Sequence, residues 1–381
     1  MNSFERYDAI LGHRKPGKMP LYIPTVSCTV ASEILGRGVN SGGESLHFKE
    51  ELSFLAGDTA HDEFVRKYQE DAIELNRKLK ADIVRQTWRS SQKPSRRIDK
   101  NTILFGDENG PHVVKRFFPE QQSYGIIEDT TCPRDVDELA LKLKNEMKQD
   151  YKITEDILFD IYKDHLEFKR LADPYFPTII TGPGMGIPIY NPVWLEATAL
   201  EPDVLVDYFL YQAEKSIQHI GWIHRHGFRF VNGGADVASN TGPVYSPTTF
   251  KNIMIPAYKK IADECNKYGI VYCYRSDGCM WPLADYLFKE AGIQAYGEVD
   301  RDASMTVGKI REKYQDLIIL GNISSATLQQ GTEQDVRNET SRTLIESGGY
   351  NYIPGPSNAI MHRTPVENIY AMIDEIEKFR P

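Results

Sequence analysis

Apolar and polar positions along this chain alternate between two periods. Eight short apolar runs begin near Leu21, Asp82, Pro177, Phe228, Ile270, Ile293, Leu317 and Tyr350, and each precedes a stretch with helical spacing. Strand–helix alternation repeated in this way predicts an α/β fold, a (β/α)8 TIM barrel. Such a barrel gathers the loops after its strands at one face, so the last residues of each strand are the candidate site. Those ends read Pro24-Thr25, Gln86 to Arg89, Thr181-Gly182-Pro183, Asn232 to Asp236, Tyr274 to Gly278, Glu298 to Asp300, Asn322 to Ser325 and Pro354 to Asn358.

Two regions depart from the rhythm. Residues 1–20 form an N-terminal extension, with a helix-like start and a basic turn from Gly12 to Lys18. Thr102–Gly106 and Val113–Phe118 flank the turn Asp107-Glu108-Asn109-Gly110, which predicts an inserted β-hairpin over 102–127. Helical spacing runs from Glu63 to Lys80, and from Arg134 to Leu171 with a break near Tyr151. Ser246-Pro247 and Thr364-Pro365 read as helix caps. No linker divides the chain, so residues 1–381 are expected to form a single barrel domain.

Composition narrows the function. A formal net charge of −9 disfavours nucleic acid as a partner. No apolar run is long enough to span a membrane, and the N-terminus lacks the regions of a signal peptide. Five cysteines make no disulfide framework, and a cytoplasmic setting is expected.

Three strand ends carry the candidate chemistry. Asn232-Gly233-Gly234-Ala235-Asp236 brings an acid after two glycines, which let backbone approach a ligand closely; a turn-capping Asp is the alternative. In Cys273-Tyr274-Arg275-Ser276-Asp277, alternation puts Cys273, Arg275 and Asp277 on one side and Tyr274 on the other. Arg275 and Asp277 offer an anion clamp and an acceptor, or a structural pair. Glu298 and Asp300 stand two residues apart after the next strand; Glu298 is favoured for the barrel axis and Asp300 for a helix cap. Gly182-Pro183-Gly184-Met185-Gly186 reads as a bent loop with Met185 as a pocket wall. Cys273 and Cys279 have no zinc spacing. His219, His224 and His226 read as solvated or capping groups near a helix end.

Several stretches together resemble the uroporphyrinogen decarboxylase superfamily, which includes methyltransferases that act with corrinoid proteins. They are Glu5 to Leu11 with Pro20, Asp236 with Gly242 to Phe250, Ile255 to Tyr258, Arg275-Ser276-Asp277-Gly278, Gly348-Gly349-Tyr350 and Thr364 to Ile369. Departures point away from the decarboxylases: the Arg-rich N-terminal signature is missing after Pro24-Thr25-Val26-Ser27. Zinc methyltransferases of the family use a His-x-Cys pair and a later Cys. Arg275 and Asp277 stand in the first two places and Ser357-Asn358 near the third.

The resemblance implies an O-demethylase-like methyltransferase, moving a methyl group from a small donor such as a methoxylated aromatic to the cobalt of a corrinoid protein. Asp277, Asp236 and Glu298 are the expected catalytic groups. Asp277 and Glu298, with Asp236, are the expected ligands if zinc or another divalent metal is held. Arg275, Asn232, Trp88, Tyr274, Asn322, Ser357 and Asn358 are the expected substrate-binding residues. A decarboxylase of a porphyrinogen-like or other carboxylated substrate, and a non-catalytic barrel that binds a tetrapyrrole or a corrinoid protein, are the rival readings. Homo-oligomers fit any of them.

Overall fold

The computed structural model describes residues 1–90, 92–149 and 152–381. β1 (Val84–Arg85) opens a parallel sheet. After it, β2 (Arg96–Asp99), β3 (Thr102–Gly106), β4 (His112–Phe118) and β5 (Ser123–Asp129) make a separate antiparallel sheet. The parallel sheet resumes with β6 (Thr178–Thr181) and β7 (Phe230–Gly233), and a small hairpin, β8 (Ala238–Ser239) and β9 (Gly242–Pro243), follows. It ends with β10 (Val271–Arg275), β11 (Ala295–Gly297), β12 (Ile318–Ile323) and β13 (Tyr352–Pro356). The order is β1-β6-β7-β10-β11-β12-β13, so neighbours in sequence are neighbours in the sheet. Helices such as Pro202–Arg225, Pro247–Lys267 and Glu333–Ser347 supply the crossovers that parallel pairing requires.

The first of the eight expected segments, at Leu21, does not form a full strand. Pro20 and Pro24 flank it and remove two backbone donors. Tyr22 still pairs in parallel with Ile83, and its N–H donates to Pro354 O of β13 at 3.1 Å. The segment thus meets both ends of the sheet's strand order.

Strand alternation divides the core. Ile83, Ile179, Phe230, Val271, Cys273, Ala295, Ile318, Leu320 and Ile353 form one buried cluster, joined by Tyr7 and Ile10 of the helix Ser3–Leu11. The alternate residues, among them Ile180, Val231, Tyr272, Tyr274, Tyr296 and Ile319, pack outward against the helices. No described helix is long and apolar enough to cross a membrane.

The insertion is larger than the expected hairpin. β3 and β4 pair around the turn that the sequence marks, but β2 and β5 extend the sheet to Arg96–Asp129. Those outer strands are largely exposed on both faces, so no burial imposes alternation on them. The sheet is tied to the helix Glu44–Ala56 through buried Glu51, which accepts from Lys115 Nζ at 3.1 Å and Ser90 Oγ at 2.9 Å. The expected helix from Glu63 runs over Asp58–Lys78, and Val136–Met147 and Glu155–Ala172 are separate helices. The break expected at Tyr151 lies outside the described residues. Ser246 caps its helix by accepting from Thr249 N at 3.0 Å. Thr364 does not cap: the helix Val366–Lys378 starts after Pro365 with no side-chain cap bond.

Candidate active site

β10 follows its alternation to the end. Cys273 faces the interior cluster, and Arg275, two residues on, contacts the carboxylate of Glu298. Arg275 therefore pairs with Glu298 rather than with Asp277. Tyr274 takes the opposite side and is fully buried among the helices, with Tyr258 edge-on at 5.1 Å. It is not a pocket wall. Its hydroxyl instead donates to Ala235 O at 3.2 Å and so holds the loop that carries Asp236.

Three carboxylates converge beyond the strand ends. Asp236, Asp277 and Glu298 each offer an oxygen, and these lie within 4.8 Å of one another. Local backbone explains each placement. Gly234 has φ +89°, and a Cβ there would sit 2.7 Å from Arg275 N, so the Asp236 loop can lie directly on β10 only with glycine. Asp277 accepts from Asn358 Nδ2 at 2.7 Å, after β13. Glu298 has φ 58°, a left-handed backbone for a non-glycine residue, which costs on the order of 1–3 kcal/mol and is held by the surrounding structure. Asp300 accepts from Asp302 N and Ala303 N and caps the short turn after β11.

Burial raises the Asp277 carboxyl, and the neighbouring Asp236 and Asp300 raise it further, against smaller opposing effects of Asn358 and Arg275. It is pushed up to about 6. Asp277 can therefore carry a proton close to neutral pH. Asp236 is exposed at the mouth, while Asp277 and Glu298 are half-buried.

A polar layer lies below. Arg85, the last residue of β1, is 7% exposed and donates to Tyr22 Oη at 3.0 Å, Thr181 Oγ1 at 3.1 Å and Pro24 O at 3.4 Å. Asn232 is buried at the end of β7, with no hydrogen-bond partner for either amide atom among the described residues. Leaving a buried polar group unpartnered costs about 1–3 kcal/mol. A narrow pocket lined by Tyr22, Pro24, Arg275, Glu298, Leu320 and Ser357 opens above this layer.

Other expected site residues are placed differently. Trp88 is 71% exposed and meets the ring of His47 edge-on rather than walling the pocket. Asn322 faces away: it donates to Val299 O and Met305 O and accepts from Val307 N, tying loops together. Its φ of 84°, after Gly321 at 94°, turns the end of β12. Ser357 lines the pocket while accepting from Ser325 N at 3.3 Å. Met185 is buried in the outer core, not in the pocket. Cys273 is enclosed beneath Gly297, and burial pushes its thiol up to about 12. His219 bonds the Tyr162 hydroxyl as a packing group, whereas His226 stacks on Trp222 and, at the C-cap of its helix, sets Nδ1 2.9 Å from Trp222 O, the capping role expected.

Arg85 is the residue that strand-end reading missed, because it lies one position before the sampled end Gln86. The alternation Ile83, Arg85 marks it as inward. A wider cleft between the helices Ser325–Gln330 and Glu333–Ser347 holds less chemistry. Its acids Glu339 and Asp335 are engaged by Ser324, Thr327 and Thr332.

Residues 229–379 match the family model described as uroporphyrinogen decarboxylase (URO-D), a span that includes Asn232, Asp236, Arg275, Asp277, Glu298 and Asn358. No curated protein sequence matches the chain. A methyltransferase from Methanosarcina mazei superposes with a TM-score of 0.67 at 16% identity, covering 100% of this chain and 99% of its own, which establishes a shared fold. D-psicose 3-epimerase from Clostridium cellulolyticum H10 has a TM-score of 0.32 at 11% identity, covering 63% of this chain and 90% of its own. A B12-independent methionine synthase from Shewanella sp. W3-18-1 has a TM-score of 0.37 at 11% identity, covering 96% and 97%.

Proposed function

We propose that this chain is a member of the uroporphyrinogen decarboxylase superfamily and a methyltransferase that moves a methyl group from a methoxylated aromatic donor to the cobalt of a corrinoid carried by a separate protein. The observation that carries this reading is the cluster Asp236, Asp277 and Glu298, with Asp277 held near pH 6. A methoxy oxygen leaves poorly as the bare anion, and a positioned acid lowers that barrier. The name of the Methanosarcina mazei neighbour supports the same class. With it we infer a closed (β/α)8 barrel as one domain, Leu21 to Ile23 serving as the eighth stave, in the cytoplasm.

Asp277 gives its proton to the aromatic oxygen as the carbon–oxygen bond breaks, and the bonding pair stays on that oxygen as a phenol forms. Asn358 fixes the rotamer of Asp277 through the 2.7 Å bond. Arg275 holds Glu298 at the pocket. The corrinoid supplies the reduced metal that accepts the methyl group, and exposed Asp236 puts the reaction at a mouth open to a group brought from outside.

With Asp277 ionised instead of protonated, the same three acids would hold a divalent cation, which would polarise the leaving oxygen in place of the proton. The donors are all oxygen, a set suited to a harder cation rather than to a thiolate-bound zinc. Metal analysis of the purified chain reports on this directly.

The test combines the chain, a reduced corrinoid protein and a panel of methoxylated aromatics. Asp277→Asn should slow transfer at least about a hundredfold, the scale of a lost general acid, with the fold retained. The decarboxylase reading has its own support in Arg85 and Arg275, two guanidiniums near one pocket. It replaces ours if Asp277→Asn leaves demethylation unchanged and abolishes CO2 release from a carboxylated substrate. A barrel that only binds would retain its partner and show no turnover in any form.

A further inference from the structure

We propose that the inserted sheet joins copies of this chain head to tail, the β2 edge of one copy pairing antiparallel with the β5 edge of the next. The contact is independent of the methyl-transfer reading.

Both edges are open. The sheet order is β2-β3-β4-β5, and among the described residues no further strand pairs with β2 or β5. An open edge offers a row of backbone N–H and C=O groups to any strand that matches it. Arg96 to Asp99 and Gly125 to Asp129 are exposed throughout. Each edge also turns apolar surface to solvent, Ile98 on β2 and Ile126 with Ile127 on β5. Register explains two of these. Pairing with β3 steps from Arg97 to Asp99, and pairing with β4 steps from Ile126 to Glu128. Ile98 and Ile127 are therefore bulge residues without a partner inside the sheet.

Charge decides which edges meet. β2 begins with Arg96-Arg97, whereas β5 ends with Glu128-Asp129 and carries no basic residue. Two β5 edges would leave their acids without a cation. Two β2 edges would set four arginines against two aspartates, and Asp99 already accepts from Thr102 and Arg116. Only unlike edges answer each other's charge.

Sheet geometry supplies the alignment. Every pairing in the sheet is antiparallel, so β2 and β5 run in opposite directions. Arg96 pairs with Leu104, Leu104 with Val114 and Val114 with Glu128. This row crosses the whole sheet on one face and ends in opposite charges. A copy added in line and in the same orientation sets its Arg96 beside Glu128, and Ile98 then falls across from Ile126. Today's partners, Glu108 for Arg96 and His112 for Glu128, form solvent-exposed pairs that exchange at little cost. Such a contact is heterologous, so copies add beyond a dimer. It is smaller than a standard interface of about 1,600 Å2, so assembly depends on concentration.

The test is sedimentation velocity of the intact chain at concentrations up to about 1 mM, the dissociation range of a weak contact. Average mass should rise with concentration past twice the monomer and fall again as salt is raised to about 1 M, where exposed charges are screened. Arg96→Glu and Glu128→Lys lie on exposed strands and should melt within about 2 °C of the wild type. Each alone should associate about fivefold or more weakly, because its own two edges now carry like charge. An equimolar mixture of the two restores opposite charges at every contact and should recover wild-type association. A constant monomer mass, association that stops at a dimer, or association untouched by both substitutions would overturn the proposal. Failure of the mixture to recover would overturn the pairing of Arg96 with Glu128.

Discussion

Two residues separate the floor of the sheet's interior from its mouth, and the two layers obey different rules. On successive strands the floor residues are Ile83, Ile179, Phe230 and Cys273, all buried in one apolar cluster. Two positions further on stand Arg85, Thr181, Asn232 and Arg275. The same pleat points both sets inward. The floor is apolar and needs nothing more. Among the described residues the mouth holds a guanidinium bonded only to neutral groups, an amide without partners, a left-handed Glu298 and three crowded carboxylates. Stability is supplied by one layer, which lets the next carry groups that are unfavourable until a substrate or proton arrives.

The largest effect that sharpens this contrast should come from the floor. Phe230→Ala removes a fully buried ring and should cost about 3–5 kcal/mol in a denaturant titration. A loss under about 1 kcal/mol would mean that the floor does not carry the fold.

A mouth substitution should act with the opposite sign. The folded-state pKa of Asp277, about 6, lies above its ordinary value of 3.8. Its favourable contribution is therefore complete below pH 3.8 and is lost as pH rises through about 6. The full shift corresponds to about 3 kcal/mol at most, and solvent at the half-buried carboxylate screens it to about 1–2 kcal/mol. Asp277→Asn should stabilise the chain by that amount at pH 8 and show no gain near pH 3.5. Destabilisation at pH 8 would place Asp277 among the groups that hold the fold together.

The smallest effect belongs outside both layers. Trp88→Ala should change stability by less than about 0.5 kcal/mol and leave turnover within twofold, since the ring is solvent-exposed. A tenfold loss of turnover would bring the ring back into the site.

How far the sequence reveals this contrast depends on burial. β10 is enclosed on both sides, and its alternation alone sorts Cys273 and Arg275 from Tyr274, while Asp277 lies beyond the strand. Naming Tyr274 as a pocket wall went against that alternation, because an aromatic beside a site looks like a wall until its face is counted. Alternation stops at Glu298, since a backbone φ of 58° breaks the period, and only the favoured assignment of Asp300 as a cap separated the two acids. Arg85 is not marked by the loop after its strand, because it is the strand's last inward residue. The outer strands of the inserted sheet left no mark, having no buried face to impose one. Asn322 looked like a ligand group from its position, but the turn at Gly321 carries its amide to the loops behind the strand.

The most direct test of the central claim, that Asp277 delivers a proton to the departing oxygen, is the pH dependence of methyl transfer in the wild type and in Asp277→Asn, measured with the same reduced corrinoid protein. With a carboxyl titrating at about 6, the wild-type kcat/KM should fall about tenfold per pH unit above that point. Asp277→Asn should be at least about a hundredfold slower at pH 6 and should lack this limb. A wild-type profile that is flat from pH 6 to 8, or the same limb in Asp277→Asn, would contradict the account.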